Sequence, residues 1–270
     1  MDLGVNGRVC VVTGASKGIG LATARILCAE GARVLLVART EREIIEAADE
    51  CVAVGAEAGG EAESLACDVT APDAAERILA AASERFGPAE VLVNNAGSAK
   101  WRDLDDVPDE DWNAAWEVNV MAPMRLMRAA TPGMRERGWG RVVNVSSTAG
   151  KRPSASMPEY SVAKAAVLSL SRLYADRCAG DGVLVNAICP GPVRSELWMD
   201  EGGLLDQSQQ LGGHDSREQA LDAAGAKRPI GRLAEVDEIA GAIAFLCSEH
   251  ASYVVGAAWS VDGGTVQVII

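Results

Sequence analysis

The chain has 270 residues, and 49% of them are hydrophobic, enough for a sizeable core in one large domain or two small ones. Its formal charge of -13 opposes nucleic acid and anionic membrane surfaces, because phosphate groups repel such a protein. Seven scattered cysteines without CxxC spacing and two isolated histidines point to neither a disulfide framework nor a metal site. No secretory signal is read in the first eight residues, and no run of about eighteen apolar residues suggests a membrane span. The expectation is therefore a cytoplasmic protein with small-molecule partners.

In chain order, β-branched runs predict strands over residues 9–13, 34–38, 65–69, 91–94, 142–146, 184–189 and 257–261. Between them, helical patterns cover 19–30, 41–54, 72–86, 111–137, 159–178 and 235–248. Strands apolar on both faces and separated by helix-length segments indicate an α/β chain: a doubly wound parallel sheet of about seven strands, with helices on both faces. No repeat, charge block or Pro-rich linker divides the chain, so one domain over 1–270 is expected. Residues 196–228, rich in Gly, Gln and Asp, are long for a βα connection and read as a lid or a partly helical insertion.

Three motifs carry chemistry. Tyr160-Ser161-Val162-Ala163-Lys164 heads a helical stretch, and positions i and i+4 share a helix face. A nearby ammonium favours the ionised form of a phenol whose ordinary pKa is about 10. The spacing alone also fits a buried tyrosine beside a snorkelling lysine. Ser147 lies thirteen residues before Tyr160, at a strand end. Thr13-Gly14-Ala15-Ser16-Lys17-Gly18-Ile19-Gly20 follows the first strand and opens the first helix, where a dinucleotide pyrophosphate docks, although a tight packing turn would use the same glycines.

The Gly-x-x-x-Gly-x-Gly spacing, Asn94-Asn95-Ala96-Gly97, Ser147 and the Tyr160/Lys164 pair, in that order, resemble the single-domain branch of the short-chain dehydrogenase/reductase family, with its Rossmann-type sheet. The resemblance runs from Arg8 to Gly264 and closes on Val261-Asp262-Gly263-Gly264. It implies a catalytic set of Asn119, Ser147, Tyr160 and Lys164. It also implies cofactor contacts at Gly14, Ser16, Lys17, Gly18, Ile19 and Gly20, an adenine pair at Asp68 and Val69, and Asn95, Ala96 and Gly97 after the fourth strand. Pro190, Gly191, Val193 and Ser195 match the family's nicotinamide-side loop. Where NAD-preferring relatives have an acid at the end of the second strand, this chain has Ala38 followed by Arg39, which with Lys17 resembles NADP-preferring members.

The implied reaction interconverts a ketone and a secondary alcohol by hydride transfer with NADP(H). Tyr160 acts as general acid/base, Ser147 polarises the carbonyl, Lys164 lowers the tyrosine pKa and grips the nicotinamide ribose, and Asn119 holds a relay water. Ser147 is preferred to Ser146 because its separation from Tyr160 is the usual family spacing. Trp101, Met157, Trp198, Met199 and Leu204 suggest an apolar substrate pocket, or else simple packing. Two alternatives stand: a 3-oxoacyl-ACP or 3-oxoacyl-thioester reductase, and a non-catalytic NADP(H)-sensing regulator. Asp181 and the overall charge argue against an acidic carrier protein. The resemblance further implies a homo-oligomer, dimer or tetramer, assembled through residues 112–137 and 254–270.

Overall fold

A computed structural model describes residues 2–267. Its seven strands are β1 (Val9–Thr13), β2 (Arg33–Ala38), β3 (Glu61–Ala66), β4 (Val91–Asn94), β5 (Gly140–Val145), β6 (Val183–Pro190) and β7 (Ala258–Val261). They form one sheet in the order β3-β2-β1-β4-β5-β6-β7, with every adjacent pair parallel. The chain winds outward in one direction from β1 to β3, then returns to add β4 on the other side of β1. That reversal opens a crevice beyond the carboxyl ends of β1 and β4, where ligands bind in open α/β sheets.

Strand side chains alternate between faces, so each strand feeds two cores. Cys10, Val12, Val34 and Leu36 pack on one side with residues of α1 (Gly18–Ala29), α2 (Glu41–Gly55) and α11 (Val236–Cys247). Val9, Val11, Leu35 and Val37 pack on the other with α3 (Ala74–Arg85), α5 (Ala122–Glu136) and α7 (Pro158–Cys178). Leu35 and Leu36 are both fully buried. Burial of each such side chain contributes about 1.5 to 3 kcal/mol.

Two elements differ from the sequence reading. The third strand runs over Glu61–Ala66 instead of 65–69, in register from Arg33↔Glu61 to Ala38↔Ala66. As a sheet edge it exposes Glu61 and Glu63, so its first half lacks the apolar run expected of a buried strand. The long helix expected over 111–137 is instead α4 (Asp109–Trp116), a π turn over Glu117–Met121, and α5. Pro123 has no N–H to return to the carbonyl of Asn119, and the ladder accommodates the loss by widening just before it.

The region 196–228 contains α8 (Glu196–Met199), α9 (Leu204–Gly212) and α10 (Arg217–Ala226). Trp198, Leu204, Leu205, Ala220, Ala224 and Leu233 give these helices a small core of their own. Of the segments expected to assemble oligomers, residues 268–270 lie outside the described residues.

Candidate active site

The glycine loop is tied to the sheet by its neighbours. Thr13 Oγ1 accepts the backbone N–H groups of Asn95 and Ala96, both at 3.1 Å, and donates to Val93 O. Asn95 Nδ2 returns two bonds of 3.0 Å to the carbonyls of Thr13 and Gly14. Gly14 adopts φ +63°, and a Cβ there would lie 2.9 Å from Ala96 Cα. At Gly20 a Cβ would lie 2.3 Å from Gly14 O, a contact no side chain tolerates. Gly20 packs onto the loop itself, and Asn95, which lines the cleft, holds the loop's shape through its side chain. Ser16, Lys17, Gly18 and Ile19 face the cleft at the N-terminus of α1, where unpaired N–H groups favour an anion.

The second cluster lies at the carboxyl ends of β5 and β6. Ser147 follows β5 and caps α6 (Thr148–Lys151), its Oγ accepting the Ala149 N–H at 3.1 Å. The hydroxyl proton remains for another acceptor. Ser146 points the other way, buried, donating to Lys164 O at 2.8 Å. Both serines border the cleft, and Ser147 is the one that meets the Tyr160 phenol.

Tyr160 and Lys164 sit one turn apart on α7, with the Lys164 ammonium 5.5 Å from the tyrosine ring centre. Lys164 is 4% exposed, and Nζ donates to Val145 O at 2.7 Å. Burial lowers the lysine to about 8. It also pushes the Tyr160 phenol above its usual 10, with a hydrogen bond to Ser147 pulling back. Desolvation thus has the largest influence on the phenol, and the hydrogen bond to Ser147 offsets part of it.

Asn119 stands in the π turn, 1% exposed, and its Nδ2 donates to Ala115 O at 3.0 Å and to Ser98 O at 3.4 Å. Its Oδ1 is buried with no hydrogen-bond partner among the described residues. A Cβ at Gly97 would lie 2.9 Å from that oxygen and 3.4 Å from Lys164 Nζ. Glycine at 97 leaves a small polar space onto which both groups face, suited to a bridging water.

Both clusters open into one cleft of about 1380 Å³. Among the expected residues, Gly14, Gly18, Arg39, Asp68, Val69, Ala96, Gly97, Ser147, Tyr160, Lys164, Pro190, Gly191, Val193 and Ser195 line it. Asn119 lies behind the wall.

A family model described as enoyl-(acyl carrier protein) reductase matches residues 14–266. A 3-oxoacyl-acyl-carrier-protein reductase of Vibrio cholerae is 33% identical over 98% of this chain and 100% of its own length. An L-sorbose reductase of Gluconobacter frateurii, solved with NADPH and L-sorbose, superposes with a TM-score of 0.91 at 35% identity, covering 100% of both chains. An actinorhodin polyketide ketoreductase variant solved with NADPH gives 0.88 at 36% identity, over 96% and 97% of the two chains. The chain belongs to the short-chain dehydrogenase/reductase family.

Short-chain dehydrogenases/reductases use a nicotinamide cofactor, and the residues here fit one. The glycine loop meets the cleft with backbone at positive φ at Gly14 and Gly18. No acid stands at the end of β2, where Ala38 is followed by the exposed Arg39. Among the described residues no carboxylate lies within ion-pair distance of Arg39, although Asp68 feels its charge. Asp68 is held below the usual carboxylate range, chiefly by the Thr70 N–H at 2.9 Å and also by its hydroxyl at 2.7 Å. The nicotinamide-side loop is braced by β7: Gly191 N donates to Val261 O, and a Cβ at Gly191 would lie 3.0 Å from Asp262.

Three features escaped the sequence reading. Lys17 is ion-paired with Asp200 at 3.2 Å, so it is not a free cation. Met199 does not border the cleft; it packs against the small core of α8–α10, while Trp101, Met157, Trp198 and Leu204 border the cleft as expected. Trp101 N donates to Gln207 Oε1 at 2.9 Å, tying α9 to the segment after β4. Such contacts join distant side chains and leave no signature in spacing. Among the described residues no helix is long and apolar enough to cross a membrane.

Proposed function

We propose that the protein is an NADP(H)-dependent oxidoreductase that interconverts a ketone and a secondary alcohol, with Tyr160 as general acid/base. The observation that carries this reading is the convergence of Ser147, Tyr160 and a buried, singly hydrogen-bonded Lys164 on the cleft that the glycine loop also lines. When bound, the nicotinamide supplies the hydride that passes to the carbonyl carbon. Tyr160 donates its phenolic proton to the carbonyl oxygen as negative charge grows there, and Ser147 donates a hydrogen bond to the same oxygen. Lys164, charged below about pH 8, stabilises the phenolate left behind and returns a proton to it. Asn119 Oδ1, orphaned beside Gly97, holds the water through which Lys164 is reprotonated. In the alcohol-oxidising direction the same groups run the proton the other way.

Preference for NADP(H) is supported by Ala38 and Arg39: a 2'-phosphate needs charge-assisted donors, and β2 ends without the carboxylate that would repel it. The three-helix segment 196–228 acts as the substrate lid of a single-domain enzyme, presenting Trp198 and Leu204 to an apolar part of the cleft. Assembly into a homo-oligomer is supported by Val162 and Leu173, exposed on α7, and by exposed Tyr253, Val255 and Trp259 near β7. Light scattering checks it.

A 3-oxoacyl-thioester substrate is the second reading, favoured by the name of the Vibrio cholerae relative. Asp181 no longer counts against an acidic carrier, because Arg135 Nε donates to it at 2.6 Å and balances its charge. The net charge of -13 still does. The test is consumption of NADPH and of NADH across a panel of small ketones and 3-oxoacyl thioesters. Turnover with NADPH on at least one member supports the assignment. Tight NADPH binding without consumption on any member favours a sensor.

A further inference from the structure

Two carboxylates approach the glycine loop, Glu196 at the start of α8 and Asp200 immediately after it. Glu196 Oε2 lies 3.1 Å from where a Cβ at Gly18 would stand, and Asp200 Oδ2 lies 3.2 Å from Lys17 Nζ. The two acids are four residues apart, and Asp200 N donates to Glu196 O at 3.0 Å, so one helical turn aims both at the loop. Asp200 holds the loop's cation and Glu196 stands beside the N-terminus of α1, both ground suited to phosphate. A carboxylate and a phosphate oxygen ask the same donors for the same bonds.

Resting on the NADP(H) reading above, we propose that α8 and its C-cap form an acidic clasp in which Glu196 and Asp200 compete with the cofactor's phosphates, and that Asp200 sets how strongly the 2'-phosphate is preferred. Glu196, against Gly18, opposes the pyrophosphate side, which NAD(H) and NADP(H) share. Asp200, on Lys17, opposes only the 2'-phosphate that distinguishes them. A 2'-phosphate takes Lys17 from Asp200 and, with Arg39, completes a two-cation site. Release of Asp200 frees α8, which carries α9 and α10 along: Trp198 packs with Leu204, Leu205 and Ala220, and Arg217 donates to Met199 O while pairing with Asp206 at 2.9 Å. Cofactor selection and movement of the substrate-side helices are thereby one event.

The clasp makes different demands of its two acids, and titration calorimetry with adenosine 2',5'-bisphosphate and adenosine 5'-monophosphate separates them. Asp200→Asn tightens the bisphosphate by about two- to fivefold, the scale of an exposed ion pair, and leaves the monophosphate unchanged. Glu196→Gln tightens both ligands alike. In the unmodified protein the bisphosphate also speeds amide hydrogen exchange over residues 196–200, and the monophosphate does so less. An unchanged bisphosphate affinity in Asp200→Asn, or exchange that slows, overturns the clasp. Equal binding of the two ligands by the unmodified protein overturns the NADP(H) reading first, and with it the role of Asp200. Both acids are solvent-accessible, so their amide variants keep the fold.

Discussion

Strand β5 has a buried cation at each end, and the two are treated in opposite ways. At the amino end Arg141, with a side chain 4% exposed, donates to Ser248 O at 3.3 Å and Gly140 O at 3.0 Å and reaches Glu249 at 3.5 Å. Its guanidinium lies 4.5 Å from the Trp139 ring centre, with Arg8 at 3.8 Å from the same ring. At the carboxyl end Lys164 donates to Val145 O, and among the described residues no carboxylate lies within ion-pair distance of it. Burial lowers both, but Glu249 pushes Arg141 back up, whereas Lys164 falls to about 8. A buried cation whose donors are matched holds the structure together. One with donors to spare is free to meet a group that arrives, the role proposed above for Lys164.

The largest effect that sharpens this contrast belongs to Tyr160→Phe. Turnover falls by a factor on the order of 10² to 10⁴, while calorimetry finds cofactor affinity unchanged, because the variant loses only the proton donor. Retention of most activity would break the assignment of the carboxyl end as the reacting end. Arg39→Asp comes next. Loss of a charge-assisted contact and gain of repulsion shift the ratio of kcat/KM for NADPH over NADH by about tenfold to a hundredfold toward NADH.

Arg141→Met probes the other pole. Loss of the stacked, hydrogen-bonded guanidinium costs about 2 kcal/mol in denaturant unfolding and leaves kcat per folded molecule unchanged. The smallest effect is a divergence with pH. Because Lys164 is charged below about 8 in the fold and below its ordinary 10.5 when unfolded, the unfolded chain binds more protons between those values. The lysine's contribution to stability therefore rises with pH from about 8 to 10.5, while ketone reduction falls as pH passes about 8. Stability curves of the unmodified protein and a Lys164→Met variant, compared from pH 7 to 10.5, isolate the first effect.

The parts legible in the sequence were those whose cause is local. Val9 to Thr13 and Val34 to Ala38 read as strands because sheet burial on both faces selects β-branched runs, and Tyr160 and Lys164 read as a pair because helix geometry fixes i and i+4. Ser147 was preferred to Ser146 because its separation from Tyr160 matches the usual spacing of the family the sequence resembles. The β3 boundary was missed because Glu61 and Glu63 decorate an exposed edge, where alternation replaces apolar continuity. The π turn was missed because the register shift that Pro123 imposes on Asn119 is a backbone event without its own residue signature. Lys17 with Asp200, Asp181 with Arg135 and the pull of burial on Tyr160 are tertiary facts, and each changed the chemistry assigned to a residue that the sequence had already singled out.

The most direct measurement is turnover and unfolding free energy on one variant, Lys164→Met, at pH 7. Removing a cation that burial penalises leaves stability unchanged or raised, while turnover per folded molecule falls by a factor on the order of 10² or more. A variant that keeps its turnover, or loses as much stability as Arg141→Met does, would contradict the division of β5 into a structural end and a reacting end.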